Sequence, residues 1–281
     1  MNCNILYIFD YSGTLSMEAV YFATPENLMK TLTQSGLYRF GISSLDIFWN
    51  KIVNPTWEKA SLSSKGYTQA IVESTLKLLN RKLSRSEREE LKKAAFLFVQ
   101  NYLSNSRIDP AWQPLFQHLL EVPDSLIVIA TDHYAEATTA FIKHFQSLNF
   151  NAASIMQAPD FLPEIKIYIA NSADIGSHKK DPKFWLRVKS LLNLEDIKKA
   201  ILIDDFGTNE QEMDTYGDKE KVVRREQETV DILKQVFHTT IISIPFILKK
   251  RIHPSHELNQ EYRQLISRTS QTILQIIQEN L

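Results

Sequence analysis

The segment from residue 6 to residue 15 reads Leu6-Tyr7-Ile8-Phe9-Asp10-Tyr11-Ser12-Gly13-Thr14-Leu15. Four apolar residues end on a carboxylate, and a turn containing glycine follows at once. A short unbroken apolar run bounded by turn residues is the pattern of a strand buried on both faces of a parallel sheet. Asp10 then stands at the carboxyl end of that strand. Open α/β sheets bind their ligands there, and a carboxylate in that place can serve as a nucleophile.

Outward from this strand the text changes character twice. Residues 16–109 read as helical: Leu28, Met29, Leu32 and Leu37 follow Pro25 at helical spacing, with Thr24 as candidate N-cap. Ile71, Val72, Thr75, Leu76 and Leu79 share one helix face, and Ser84-Arg85-Ser86-Glu87 has the form of a capping box before a long helix. Asp109-Pro110 breaks the pattern. Beyond it, apolar runs at 126–130, 165–170, 200–203 and 239–244 alternate with amphipathic segments, and residues 257–279 read as a last helix with Leu258, Tyr262, Leu265, Ile266, Ile273 and Ile276 on its apolar face. Strand alternating with helix implies an α/β fold, a doubly wound parallel (Rossmann-like) sheet. Residues 1–15 and 110–250 would form this core, 16–109 an inserted helical cap over the strand ends, and 251–281 a C-terminal helix. A cap in that position can exclude water and shape a pocket.

Bulk properties bound the alternatives. The chain has 281 residues, 43% hydrophobic and 23% charged, and a formal net charge of −1. No global field favours nucleic acid or an anionic membrane, and short basic runs such as Lys249-Lys250-Arg251 read as solvated surface. The single cysteine, Cys3, excludes an internal disulfide and reads as a buried, inert thiol. No stretch has the basic start of a secretory signal or the ~20 apolar residues that span a bilayer. The expectation is a soluble, cytoplasmic protein acting on a small molecule, with no membrane or nucleic-acid partner; its oligomeric state is not legible.

In a parallel sheet all strands open on one edge. That edge would receive Asp10 and Ser12, Thr131 and Asp132, Lys179 or Lys180, and Asp204 with Asp205. Such a set suits phosphoryl transfer through an aspartyl-phosphate. A carboxylate attacks phosphorus, a lysine and a hydroxyl orient the phosphoryl oxygens, and a divalent cation offsets the charge. Magnesium is the expected cofactor, since it prefers oxygen ligands. Asp10, Asp205, Asp204 and the Ser12 carbonyl are the candidate ligands.

With these four segments in view, the chain resembles the haloacid dehalogenase superfamily. Asp10-Tyr11-Ser12-Gly13-Thr14 is similar to its Asp-x-Asp-x-Thr motif, Thr131 to its second motif, and Lys179-Lys180-Asp181-Pro182-Lys183-Phe184 to its lysine motif. Asp204-Asp205 is similar to the paired acids of the fourth. The resemblance implies Asp10 as nucleophile and Thr131 and Lys179 as phosphate holders, with Asp132 and Gly13 near the substrate. It also implies a helical cap of the family's first type.

Ser12 departs from the pattern. In family phosphatases the acid at that place protonates the leaving group and then activates water. Serine is too weak for either task, and such a loss typically costs ~10²–10⁴-fold in rate. The resemblance therefore leaves a slow phosphohydrolase beside three alternatives. These are a phosphonate hydrolase (cap lysines Lys51, Lys59 and Lys65 are present), a dehalogenase-type enzyme, and a protein that binds without turnover. Dehalogenases of the family lack paired acids of the Asp204-Asp205 type, which disfavours that branch. Asp132 and His133 also read as helix-capping and surface residues, and Trp49, Trp57 and the tyrosines of the helical segment as core.

Overall fold

A computed structural model describes residues 3–160, 165–211, 213, 219–249 and 256–279. Six parallel strands form one sheet: β1 Ile5–Phe9, β2 Ser125–Thr131, β3 Ala152–Ser154, β4 Ile167–Asn171, β5 Lys199–Asp204 and β6 Thr240–Pro245. Their spatial order is β3-β4-β2-β1-β5-β6. Strand β1 lies between β2 and β5, with Phe9 opposite both Ile129 and Ile203. The winding reverses at β1, so a crevice opens beyond its carboxyl end. Asp10 stands there, its backbone N–H donating to the Ile203 carbonyl at 2.9 Å.

Side chains alternate across the strands, and two apolar clusters result. Tyr7, Phe9, Ile127, Ile129, Ile167, Ile169, Ile201 and Ile203 face one way. Leu6, Ile8, Leu126, Val128, Tyr168, Ala200 and Leu202 face the other, against Phe184, Trp185, Leu233 and Phe237. Each such side chain contributes roughly 1.5–3 kcal/mol when fully buried, which is why the central strands read as continuous apolar runs rather than as alternation.

Within residues 16–109 the chain forms six α-helices: α1 Met17–Phe22, α2 Pro25–Ser35, α3 Leu45–Ile47, α4 Asn54–Ala60, α5 Gly66–Leu79 and α6 Arg85–Asn105. A π-helical turn, Phe48–Val53, joins α3 to α4. The Ser84 capping box is formed in both directions. Thr24 occupies the N-cap of α2, but its hydroxyl makes no cap and donates back to the Tyr21 carbonyl at 2.8 Å. Apolar residues of this helical block, including Phe48 and Phe98, belong to the same cluster as Phe9 and Ile129. The block and one face of the sheet share a core.

The remaining helices are α7 Gln113–Glu121, α8 Glu136–Ser147, α9 Ser172–Ile175, α10 Pro182–Leu192, α11 Lys219–Phe237 and α12 His256–Gln278. Strand β3 was not legible in the sequence; three residues are too few to show a period. Lys250 and Arg251 of the basic run, the proposed 250/251 boundary and the side chain of Leu258 lie outside the described residues. Among the described residues no helix is long and apolar enough to cross a membrane.

Helix α12 buries Tyr262, Ile266, Ile273 and Ile277 on the sheet's first apolar cluster. The Tyr262 hydroxyl donates to the Thr14 carbonyl at 2.8 Å, so the C-terminal helix braces the turn after β1. Tyr262→Phe leaves that buried carbonyl without its donor. The expected cost is about 1–3 kcal/mol, read as a lower urea midpoint at unchanged m value.

Candidate active site

Five segments converge beyond the carboxyl ends of β1, β2 and β5. The turn after β1 is tight: Gly13 N–H donates to the Ser16 carbonyl, and Leu15 and Ser16 N–H both reach the Tyr11 carbonyl. Gly13 has φ +76, and a Cβ there would stand 2.5 Å from Asp205 Oδ2. Thr14 faces the loop after β5, its hydroxyl accepting from Asp205 N–H at 3.1 Å. Asn209 closes the arrangement by donating to the carbonyls of Gly13 and Phe246 while accepting from Leu248 N–H. Gly13 is thus packed against Asp205 and Asn209, whereas Ser12 lines the cavity described below.

Lys179 resolves the ambiguity left by the sequence. It is 5% exposed, and its ammonium donates to Asp10 Oδ1 at 2.5 Å and to Asp204 Oδ2 at 3.0 Å. The neighbouring Lys180 points to solvent beside Glu58. The Lys179 segment is held by Trp185, whose indole N–H donates to the Lys179 carbonyl, and by Asp132, which accepts from Lys179 N–H at 3.0 Å.

Asp10, Asp204 and Asp205 each bring an oxygen within 4.8 Å of the others. Three buried carboxylates face one ammonium. Burial pushes the Asp10 carboxyl up to about 7 in spite of Lys179, with Asp204 adding to the rise. Burial, then Asp10, Glu210 and Asp204, raise Asp205 as well. Both Asp205 oxygens accept backbone N–H bonds, from Gly207 and Asn209, which fixes the carboxylate's direction. Hard oxygen donors with an uncompensated negative charge are a fitting set for magnesium.

The hydroxyl of Thr131 lies 2.6 Å from His133 Nδ1, and His133 Nε2 lies 3.1 Å from the Tyr102 hydroxyl on α6. A continuous polar chain therefore runs from the helical block to the strand end. The sequence left His133 open between a capping or surface residue and a substrate ligand. It is buried, and desolvation, helped by the charge of Lys179, lowers it to about 3. No sequence signal separated it from a capping residue, because its partner Tyr102 is 31 positions away. Further ties join the block to the core: Glu136 accepts from Tyr67 and Thr68 N–H at the start of α5, Ser61 meets His178 Nε2 at 2.8 Å, and Tyr11 donates to the Ser106 carbonyl at 2.6 Å.

A cavity of about 100 Å³ lies between block and sheet. Asp10, Ser12, Thr131, Asp132, His133 and Glu210 line its core side, and aromatic residues of the block, Trp49 and Trp57 among them, line the other. A second cleft of mixed charge, lined by Lys180, Arg224 and Arg225 together with Glu58 and Glu228, meets the same centre, sharing Asp132 and Trp57 with the cavity.

No protein-family model matches the chain, and no curated protein matches it in sequence. Solved structures do. A 2-haloacid dehalogenase from Pseudomonas syringae pv. tomato DC3000 is 13% identical, with a TM-score of 0.52 over 94% of this chain and 99% of that one. A predicted HAD-like family hydrolase from Porphyromonas gingivalis is 11% identical, with a TM-score of 0.38 over 94% and 98%. The chain has the haloacid dehalogenase-like fold.

Two outcomes follow from this geometry. Gly13→Ala forces strained backbone and a clash with Asp205; a loss of roughly 1–3 kcal/mol is expected, measured by chemical denaturation. His133 binds its proton near pH 6.5 when unfolded and only near pH 3 when folded. Its contribution to stability is therefore complete above pH 6.5 and is lost as pH falls, by up to about 1.4 kcal/mol per pH unit. Asp10 works in the opposite sense, so the imidazole is isolated by difference. The stability of wild type minus that of His133→Gln should shrink steadily from pH 7 to pH 4.

Proposed function

We propose that the chain is a hydrolase that transfers a phosphoryl group from a small phosphorylated substrate to Asp10 and then to water. The observation that carries this reading is the buried cluster of Asp10, Asp204 and Asp205 around Lys179. Asp10 is the nucleophile. Lys179 directs it and neutralises phosphoryl oxygens, and the Thr131 hydroxyl, oriented by His133, donates to a phosphoryl oxygen. Asp10, Asp205 and Asp204, with the Ser12 carbonyl, would hold magnesium, which supplies charge neutralisation where negative charge develops. A cytoplasmic setting belongs to the same proposal.

A second reading is displacement of halide from carbon by Asp10. Ser12, the apolar cavity wall and the structural likeness to a protein named as a 2-haloacid dehalogenase favour it. The three carboxylates oppose it, since halide displacement uses no cation to offset them.

Magnesium-dependent release of phosphate, abolished in Asp10→Asn, is the expected result. Halide release without added metal would replace the first reading with the second. Ser12→Asp supplies the missing proton donor and base. Hydrolysis of alkyl phosphates by this variant should rise by ~10²-fold or more, measured as kcat, if Ser12 limits the reaction.

A further inference from the structure

The cavity has two unlike sides. The side formed by the strand ends carries Asp10, Asp132, Glu210 and Thr131. The opposite wall comes from the helical block, through Phe22, Phe48, Trp49, Trp57, Phe98 and Tyr102 among others. No residue that the block contributes there bears a formal charge. Tyr102 has its hydroxyl 3.1 Å from His133. The π-helical turn Phe48–Val53 matters here. Within it, Phe48 and Trp49 are both buried and both line the cavity. A π-turn often marks a functional site, and in this one the two rings meet edge to face, their centroids 5.3 Å apart at 78°.

A wall of this kind selects by what it cannot offer. A polyol placed against it would lose hydrogen bonds to water and gain few in return. An aromatic ring would bury its surface and find edge and offset contacts. Ser12 supplies an independent constraint on the other end of the substrate. Without a proton donor at that place, a strongly basic alkoxide leaves slowly, while a phenolate departs without protonation.

We infer that the site takes phosphate monoesters of phenol-type alcohols, with the ring against Trp49 and Phe98 and the phosphate at Thr131 and Lys179. This rests on the phosphoryl-transfer reading above. An oxygen of Asp10 bonds to phosphorus, the phosphorus–aryloxygen bond breaks, and the electron pair leaves on the aryloxide, which takes a proton from water. A water molecule then attacks phosphorus, releasing phosphate and restoring the Asp10 carboxylate. The overall change is ester plus water to phenol plus phosphate.

The test compares kcat/KM, with magnesium, for phenyl phosphates of graded leaving-group acidity against glycerol 3-phosphate, glucose 6-phosphate and choline phosphate. It also compares binding of phenylphosphonate and 2-hydroxyethylphosphonate to Asp10→Asn by calorimetry. Aryl esters should be preferred by at least about tenfold, and log kcat/KM should rise steeply as the phenol becomes more acidic. Ser12→Asp should flatten that dependence. Trp49→Gln should raise KM for phenyl phosphate about tenfold and lower the preference for phenyl over methyl phosphate by about the same factor. Trp57→Gln, at a partly exposed position, gives the same comparison if Trp49→Gln does not fold.

Preference for either polyol phosphate overturns the substrate class and leaves the reaction standing. Preference for choline phosphate overturns it in favour of a cation held by the rings. Tighter binding of phenylphosphonate with no phosphate release from any ester upholds the apolar specificity and removes the reaction instead. Equal binding of the two phosphonates, or binding of neither, overturns the inference outright.

Discussion

One buried ammonium organises this molecule's chemistry. Lys179 is drawn between Asp10 and Asp204 in a place that water hardly reaches. Removing a charge from water costs several kcal/mol unless partners offset it, so each group is tolerated only because the others are there. The balance is still uneven, three carboxylates to one lysine, and Asp10 and Asp205 are raised accordingly. The cluster thus holds more carboxylates than its one ammonium can offset, and a bound cation would answer that excess.

The scaffold serves that arrangement from both ends of the chain. Thr14, Asn209 and the Gly13 turn lock the loops after β1 and β5 together, and Tyr262 of the last helix braces the same turn. On the other side the helical block is joined to the sheet by a shared apolar core and by polar ties through Glu136, Ser61 and Tyr102. Gly66 is required at one of these ties, since any Cβ would collide with the Glu136 carboxylate that caps α5. The cavity wall and the Asp10 carboxylate are therefore positioned by one continuous packing.

The strand-end acids were readable because parallel strands buried on both faces appear as plain apolar runs. The residue that ends each run is then marked by its polarity. Pro182–Leu192 and the Ser84 capping box were readable for a related reason: their signals are local. The role of His133 was not readable, because it depends on a hydroxyl 31 residues away and on burial. Nor was the choice between Lys179 and Lys180 open to spacing alone, since adjacent residues on a turn differ only in which one the fold directs inward. The aromatic residues of the helical block read correctly as apolar. They also read as core, and Trp49 and Tyr67 are buried in it; that the same rings line a cavity is a property of how the helical block meets the sheet.

By itself, then, the sequence determined the layered α/β architecture and the edge of the sheet at which its polar residues gather, because hydrophobic period and chain order are written residue by residue. The tertiary structure alone decided which lysine meets Asp10, that Asp205 is held by backbone amides, and that the space above Asp10 is walled by rings. Those outcomes depend on distances between residues far apart in the chain, and only packing sets such distances.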